Sequence, residues 1–167
     1  MKNLSVVGIG RLGLCLALVL EKTGFNVVGC DINEDYVKAL NKKTFTSQEM
    51  NVSNFLKKSE NFRATTSLKE AVDHSDMIFT VVRTESEPDG RYDHSQIDTL
   101  VASLIELGVQ EKTKHFVIGC NVSPGYSDTV AKKLKKYNWT VSFNPETVRQ
   151  GMIIQDYFNP SCVYIGS

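Results

Sequence analysis

The chain has 167 residues, 41% hydrophobic and 23% charged. That is enough chain to bury a core without disulfides or metal, and the balance excludes disordered and fibrous classes. Nineteen basic residues are matched by nineteen acidic ones, which removes the electrostatic footprint of a nucleic-acid or anionic-membrane binder and points to a small-molecule partner.

The apolar run Leu4 to Val7 ends in glycines and leads into Leu12, Leu14, Leu16, Ala17, Val19 and Leu20, a buried strand turning into a buried helix that Gly24 ends. Arg11 inside this apolar stretch argues against a signal peptide, so a cytoplasmic chain is expected. Val27, Val28 and Cys30 form a second strand stopping at Asp31, and Asn33 caps a helix carrying Val37, Ala39 and Leu40. Lys42 to Phe62 reads as a loop with one short helix. Ser67 to Glu70, S-L-K-E, is a capping box, and Met77 to Val82 predicts a strand buried on both faces. After the P-D-G turn, Ile97, Leu100, Val101, Leu104 and Ile105 repeat at helical spacing. His115 to Ile118 is the next strand. Pro124 and Asp128 open a helix that closes on K-K-L-K-K, a basic cluster read as solvated because no aromatics interleave with it. Val141 to Phe143 and Cys162 to Ile165 are expected as the last two strands, with a loop and short helix between them. Strands alternating with helices predict one α/β unit over residues 1–167, of Rossmann type: a doubly wound, mainly parallel sheet with helices on both faces.

Cys15, Cys30, Cys120 and Cys162 form no C-x-x-C pair and share no ligand spacing with His74, His94 and His115. No metal site is expected, and the thiols read as reduced and mostly buried: Cys15 in the first helix, Cys30 in a strand, Cys162 just before one.

G-x-G-x-x-G stands at Gly8, Gly10 and Gly13, directly between the first strand and the first helix. Gly8 makes the tight turn, Gly10 lets backbone approach a pyrophosphate, and Gly13 lets helix pack on strand. The helix N-terminus supplies free N–H groups and partial positive charge, so no lysine is needed. Asp31, 18 residues after Gly13, can accept hydrogen bonds from a ribose and would repel a 2′-phosphate. NAD is therefore expected over NADP. The competing reading leaves the glycines to turn and packing and Asp31 to helix capping.

Three stretches carry a resemblance: GIGRLGLCLALVLEKTGFNVVGCDINEDYVKALN, RATTSLKEAVDHSDMIFTVVRTESEPDGRYD and FNPETVRQGMIIQDYFNPSCVYIGS. Together they resemble the N-terminal domain of the UDP-glucose/GDP-mannose dehydrogenase family, whose members oxidise a nucleotide-sugar alcohol twice to a uronic acid. The last is the most specific, repeating N-P-E-F-L-x-E-G and D-x-x-N-P-x-R-x-x-I-G at N-P-E, Gly151, Asp156, Pro160, Ile165 and Gly166. The resemblance implies that Gly8, Ile9, Gly10, Arg11, Leu12, Gly13, Asp31, Ile32, Val82, Thr84, Cys120 and Gln150 hold NAD. It implies catalytic, water-arranging roles for Glu146 and Asn121, and contact of Thr147, Val148 and Arg149 with a nucleotide sugar. A UDP-sugar partner and a homodimeric full-length form are implied as well.

The sequence also departs from the pattern. S-T-V-P reads Cys120, Asn121, Val122, Ser123; the V-P-T-P loop has Arg83 and Glu85 in place of prolines; the basic residue after the cofactor aspartate is Tyr36; and the second glutamate of N-P-E-F-L-x-E is Gln150. Glu49 is kept from E-P-G-L, but Met50 and Asn51 replace its Pro-Gly. The family's dimerisation helix and its domain with the nucleophilic cysteine have no counterpart in these residues, so NAD binding without full turnover is expected of the chain alone. A stand-alone dinucleotide-binding sensor remains the alternative.

Overall fold

The computed structural model describes residues 2–166. Six strands, β1 Asn3–Val7, β2 Asn26–Cys30, β3 Phe62–Thr65, β4 Met77–Thr80, β5 Lys114–Ile118 and β6 Trp139–Phe143, form a sheet. Their order is β3-β2-β1-β4-β5-β6, and every neighbouring pair is parallel. The helices are α1 Arg11–Lys22, α2 Glu34–Asn41, α3 Val52–Lys58, α4 Leu68–His74, α5 Ser95–Glu106, α6 Tyr126–Leu134 and α7 Ile153–Phe158. None of the described helices is long and apolar enough to cross a membrane.

Both faces of the sheet are covered, as a parallel sheet requires. Val6 and Val27 pack with α1, α2, α3 and α7 on one side, while their neighbours Val7 and Val28 pack with α4, α5 and α6 on the other. This is why consecutive strand residues are apolar instead of alternating with polar ones. The chain winds outward from β1 to β3 and then crosses to β4 on the other side of β1. The strand order thus reverses beside the C-terminal end of β1, the position at which doubly wound sheets bind ligands.

Four sequence expectations need correction. Phe62–Thr65 is a strand that the sequence hid, because an edge strand with Arg63 exposed carries no continuous apolar run. The predicted strand Met77 to Val82 stops at Thr80, and Met77 is substantially exposed. The predicted strand Cys162 to Ile165 does not form. Only Phe143 and Gly166 pair, in antiparallel sense, while Val163, Tyr164 and Ile165 are exposed; an apolar β-branched run states a preference but does not supply a partner. Cys162 is accordingly exposed, whereas Cys15, Cys30 and Cys120 are buried, and all four are free thiols.

The capping box at α4 is half formed. Ser67 Oγ accepts the Glu70 N–H at 3.2 Å, but the Glu70 carboxylate turns to Thr65 Oγ1 at 2.5 Å and to Arg63. Those contacts hold its pKa below the ordinary carboxylate value, the Thr65 bond contributing most.

At the other end of α4, Lys114 enters from β5 and is nearly buried. Its ammonium donates to the carbonyls of Val72 at 2.7 Å and Ser75 at 2.8 Å, and to Asp76 Oδ1 at 3.2 Å. A lysine here replaces the backbone donors that the last helical carbonyls lack. Lys114→Met keeps the stem but leaves two carbonyls without this donor. Urea unfolding of that variant should show a loss of about 2–3 kcal/mol, the usual effect of removing a charged donor from buried acceptors.

Candidate functional site

The loop joining β1 to α1 is built by close approaches. Gly8 has φ +84°, and a Cβ on it would lie 2.8 Å from the Val81 carbonyl oxygen. A Cβ on Gly13 would lie 2.0 Å from the Gly8 carbonyl oxygen, so no other residue lets α1 start this near the strand. Gly10 differs: its φ is −62°, and a Cβ there would meet nothing within 4 Å. The fold uses glycine at 8 and 13, whereas at 10 it leaves open space in front of the helix.

As the N-cap of α1, Gly10 provides no side-chain hydrogen bond, so the first-turn N–H groups face that space. Ile9, expected among the cofactor contacts, has a fully buried side chain that fits against Gly29, where a Cβ would lie 2.8 Å from Ile9 Cγ2. Only its backbone is available, and its carbonyl accepts the Tyr36 hydroxyl at 2.8 Å. Burial pushes the Tyr36 phenol well above its usual value, so it remains a donor. A cleft of about 420 Å³ opens beside Gly10 and Arg11, with Tyr36, Phe45 and the loop Thr46 to Gln48 as its far wall.

Asp31 and Ile32 follow β2 directly. Asp31 Oδ1 accepts the Asn33 N–H at 3.1 Å, and Asn33 Oδ1 in turn caps α2 by accepting the Tyr36 N–H at 3.0 Å. This pair of turns fixes the direction of the Asp31 carboxylate. Ile32 is 94% exposed, a flat apolar surface beside that carboxylate.

The ends of β4, β5 and β6 supply the remaining candidates. The N–H of Asn144 donates to the Ile118 carbonyl and that of Glu146 to the Gly119 carbonyl, at 2.8 and 3.3 Å; the N-P-E segment therefore continues along β5. A Cβ on Gly119 would come within 3.5 Å of Glu146 Oε1 and 3.0 Å of the Thr80 carbonyl oxygen. Gly119 is thus the residue that admits the carboxylate, and the sequence pattern did not single it out.

Burial pushes the Glu146 carboxyl from 4.5 to about 7, and the Tyr157 hydroxyl on α7 restrains the rise. That hydroxyl is buried without a hydrogen bond of normal geometry. Burial pushes the Cys120 thiol up to about 11, which keeps it protonated and unsuited to nucleophilic attack. Val82 and Thr84 are half-buried nearby in sequence, and Asn121 is exposed at the end of the β5 loop.

Segment 147–151 behaves unevenly. Thr147 is exposed, while Val148 packs against the core. The Arg149 guanidinium is committed to Asp156, at 2.7 Å to Oδ1 and 3.1 Å to Oδ2, and its own N–H bonds Oδ2 at 2.8 Å. These bonds hold the Asp156 carboxyl well below the usual range. Gln150 accepts from Arg11 at 3.4 Å, which joins this segment to the glycine loop before α1. No cluster of three or more His, Cys, Asp or Glu among the described residues is arranged to hold a metal ion.

Comparison with known proteins identifies the family and the fold. An uncharacterized protein of Methanocaldococcus jannaschii is 40% identical over 98% of this chain and 18% of its own length. The UDP-glucose 6-dehydrogenase AglM of Haloferax volcanii is 26% identical over 99% of this chain and 41% of its own length. A GDP-mannose dehydrogenase of Pseudomonas aeruginosa, solved as a ternary complex, superposes with TM-score 0.91 at 25% identity, over 100% of this chain and 41% of that one. A UDP-glucose dehydrogenase of Pyrobaculum islandicum does so with TM-score 0.88 at 27% identity, over 99% of this chain and 40% of that one. The chain thus spans well under half the length of these relatives. Residues 2–167 match the NAD-binding domain of the UDP-glucose/GDP-mannose dehydrogenase family, and the chain belongs to that family as its NAD-binding domain.

Proposed function

We propose that the chain is the dinucleotide-binding part of a nucleotide-sugar 6-dehydrogenase that oxidises the C6 alcohol of a UDP-glucose-like sugar to the uronic acid. The observation that carries this reading is Gly10. The backbone there has a negative φ, not the left-handed conformation that calls for glycine, and the space in front of it is empty of protein, so the glycine answers to a ligand lying against the main chain. The uncapped first turn of α1 fits a pyrophosphate, and the oriented Asp31 carboxylate fits a ribose diol. NAD, when bound, supplies hydride acceptance, one equivalent for each of the two oxidations.

Gly8, Ile9, Gly10, Arg11, Leu12 and Gly13 serve the phosphates, Ile9 through backbone alone. Asp31 and Ile32 serve the adenosine, the exposed Ile32 side chain offering an apolar face to a base. Val82, Thr84, Cys120 and Gln150 flank the nicotinamide half, Cys120 by shape. Glu146 and Asn121 orient the water that the second oxidation consumes. A carboxyl with its pKa near 7 populates both acid and base forms at neutral pH, as a group that takes and returns a proton requires. Thr147, Val148 and Arg149 meet the nucleotide sugar, although the charge and the N–H of Arg149 are already engaged by Asp156. The names of the relatives support a UDP-sugar, and the longer form is proposed to be a cytoplasmic homodimer.

Gly10→Val separates folding from binding. Its thermal midpoint should stay within a few degrees of the parent, while NAD affinity by calorimetry should fall more than about tenfold, a loss of about 1.4 kcal/mol or more. Unchanged affinity would refute the cofactor site. Asp31→Ala should weaken NAD by about tenfold in the same titration.

Glu146 gives a pH prediction. Its folded pKa lies above the ordinary 4.5, so the folded state holds its proton where the unfolded chain releases it. Stability is undiminished by this group below about 4.5 and falls as pH rises from there to about 7. In Glu146→Gln this fall disappears, and urea unfolding at pH 5 and pH 8 should show a smaller difference than in the parent. An identical pH dependence in the two proteins would contradict the burial of the charge.

A further inference from the structure

Glu49 is a buried carboxylate that the site described above does not employ. Its side chain is 5% exposed. Oε2 accepts the Gly151 N–H at 2.7 Å, and Oε1 faces Arg11 Nε at 3.7 Å. Arg11 also extends Nη1 to Gln150 Oε1 at 3.4 Å. Three segments far apart in sequence therefore meet at one carboxylate: the loop before α3, the first residue of α1, and the turn before α7.

A loop that only covered α1 would have no need of a charge here. Val52 and Leu56 just beyond it are buried apolar residues that do such covering, and burying a carboxylate is unfavourable unless its partners are well placed. The partners are specific. Gly151 has φ +84°, so its N–H direction belongs to a left-handed turn and is not repeated by a helix or strand. Cys15 lies beneath the cluster as a neutral neighbour, its thiol pushed up to about 12 by burial and by the charge of Glu49. Arg11 follows Gly10 directly, and its side chain is 51% exposed. It is thus free to answer an anion arriving at the α1 N-terminus. A guanidinium that turns toward such an anion moves away from Glu49, and the hold of Glu49 on Gly151 changes with that distance.

We propose that Glu49 is a positioning residue that ties the Gln150–Gly151 turn to Arg11, so that a dinucleotide bound at the glycine loop is felt in the segment that meets the nucleotide sugar. The coupling is carried by contiguous contacts, and both ends bias one side chain, Arg11. It rests on the cofactor reading given above.

The test is an NMR titration of the ¹⁵N-labelled chain with NAD, following the amides of Gly8, Gly10 and Gly151. In the parent all three resonances should shift. In Glu49→Gln, which keeps an acceptor for Gly151 but no charge for Arg11, the Gly151 response should be lost while Gly8 and Gly10 still respond. Arg11→Met, a half-exposed substitution, should give the same loss and provides the test if Glu49→Gln does not fold. Gly151 responding undiminished in the variants overturns the coupling. Gly8 and Gly10 responding in the parent with Gly151 silent overturns the coupling alone. Silence at all three removes the cofactor reading and the coupling with it.

Discussion

The contact on which the rest depends is that of Gly13 with the Gly8 carbonyl, where a Cβ would lie only 2.0 Å from the oxygen. Because α1 begins that near β1, its N-terminal N–H groups emerge where the strand order reverses. Because Gly8 takes φ +84° against the Val81 carbonyl, the turn is also pinned to the chain leaving β4. Two glycines thus fix the helix relative to both β1 and β4. The space in front of Gly10 is the result of that closure, and a dinucleotide site needs such a space to exist before the ligand arrives.

The second wall of the site depends on a different glycine. Gly119 lets the segment after β6 lie against β5 so that Glu146 enters beside it. Glu146 is half-buried there, and that partial withdrawal from water raises the carboxyl. The effect is opposed by the nearby Tyr157 phenol, although its buried hydroxyl makes no hydrogen bond of normal geometry. A carboxylate in the open would stay ionised at neutral pH and one sealed among apolar groups would stay protonated; a hydroxyl set beside a buried one places it between those limits.

How much of this was legible follows from where each signal lies. The glycine spacing, Asp31 and the Asn33 cap are local patterns, and the structure shows them as turns and hydrogen bonds within a few residues. Central strands β1 and β2 are legible because adjacent residues, Val6 with Val7 and Val27 with Val28, are apolar, both their faces being covered. Phe62–Thr65 was missed for the complementary reason, since an edge strand is selected by its neighbour and its own sequence stays mixed. Cys162 to Ile165 failed in the opposite sense, having strand composition but only one paired residue at its end. Gly29 and Gly119 matter through contacts with Ile9 and Glu146, separations that no local pattern encodes.

The same distinction bears on the substitutions that set this chain apart. Tyr36 stands where a cation was expected, yet it is not idle: it donates to the Ile9 carbonyl and packs edge-on against Phe45, with ring centroids 4.9 Å apart. It therefore braces the glycine loop from behind instead of offering charge from the front. Arg11 puts a positive charge beside that loop, at the front edge of the cleft, where Glu49 and Gln150 hold it. A cation thus stands at the N-terminal end of α1, attached to a carboxylate that also holds Gly151. A residue on α2 could not make that link, because among the described residues nothing on α2 hydrogen-bonds the turn before α7.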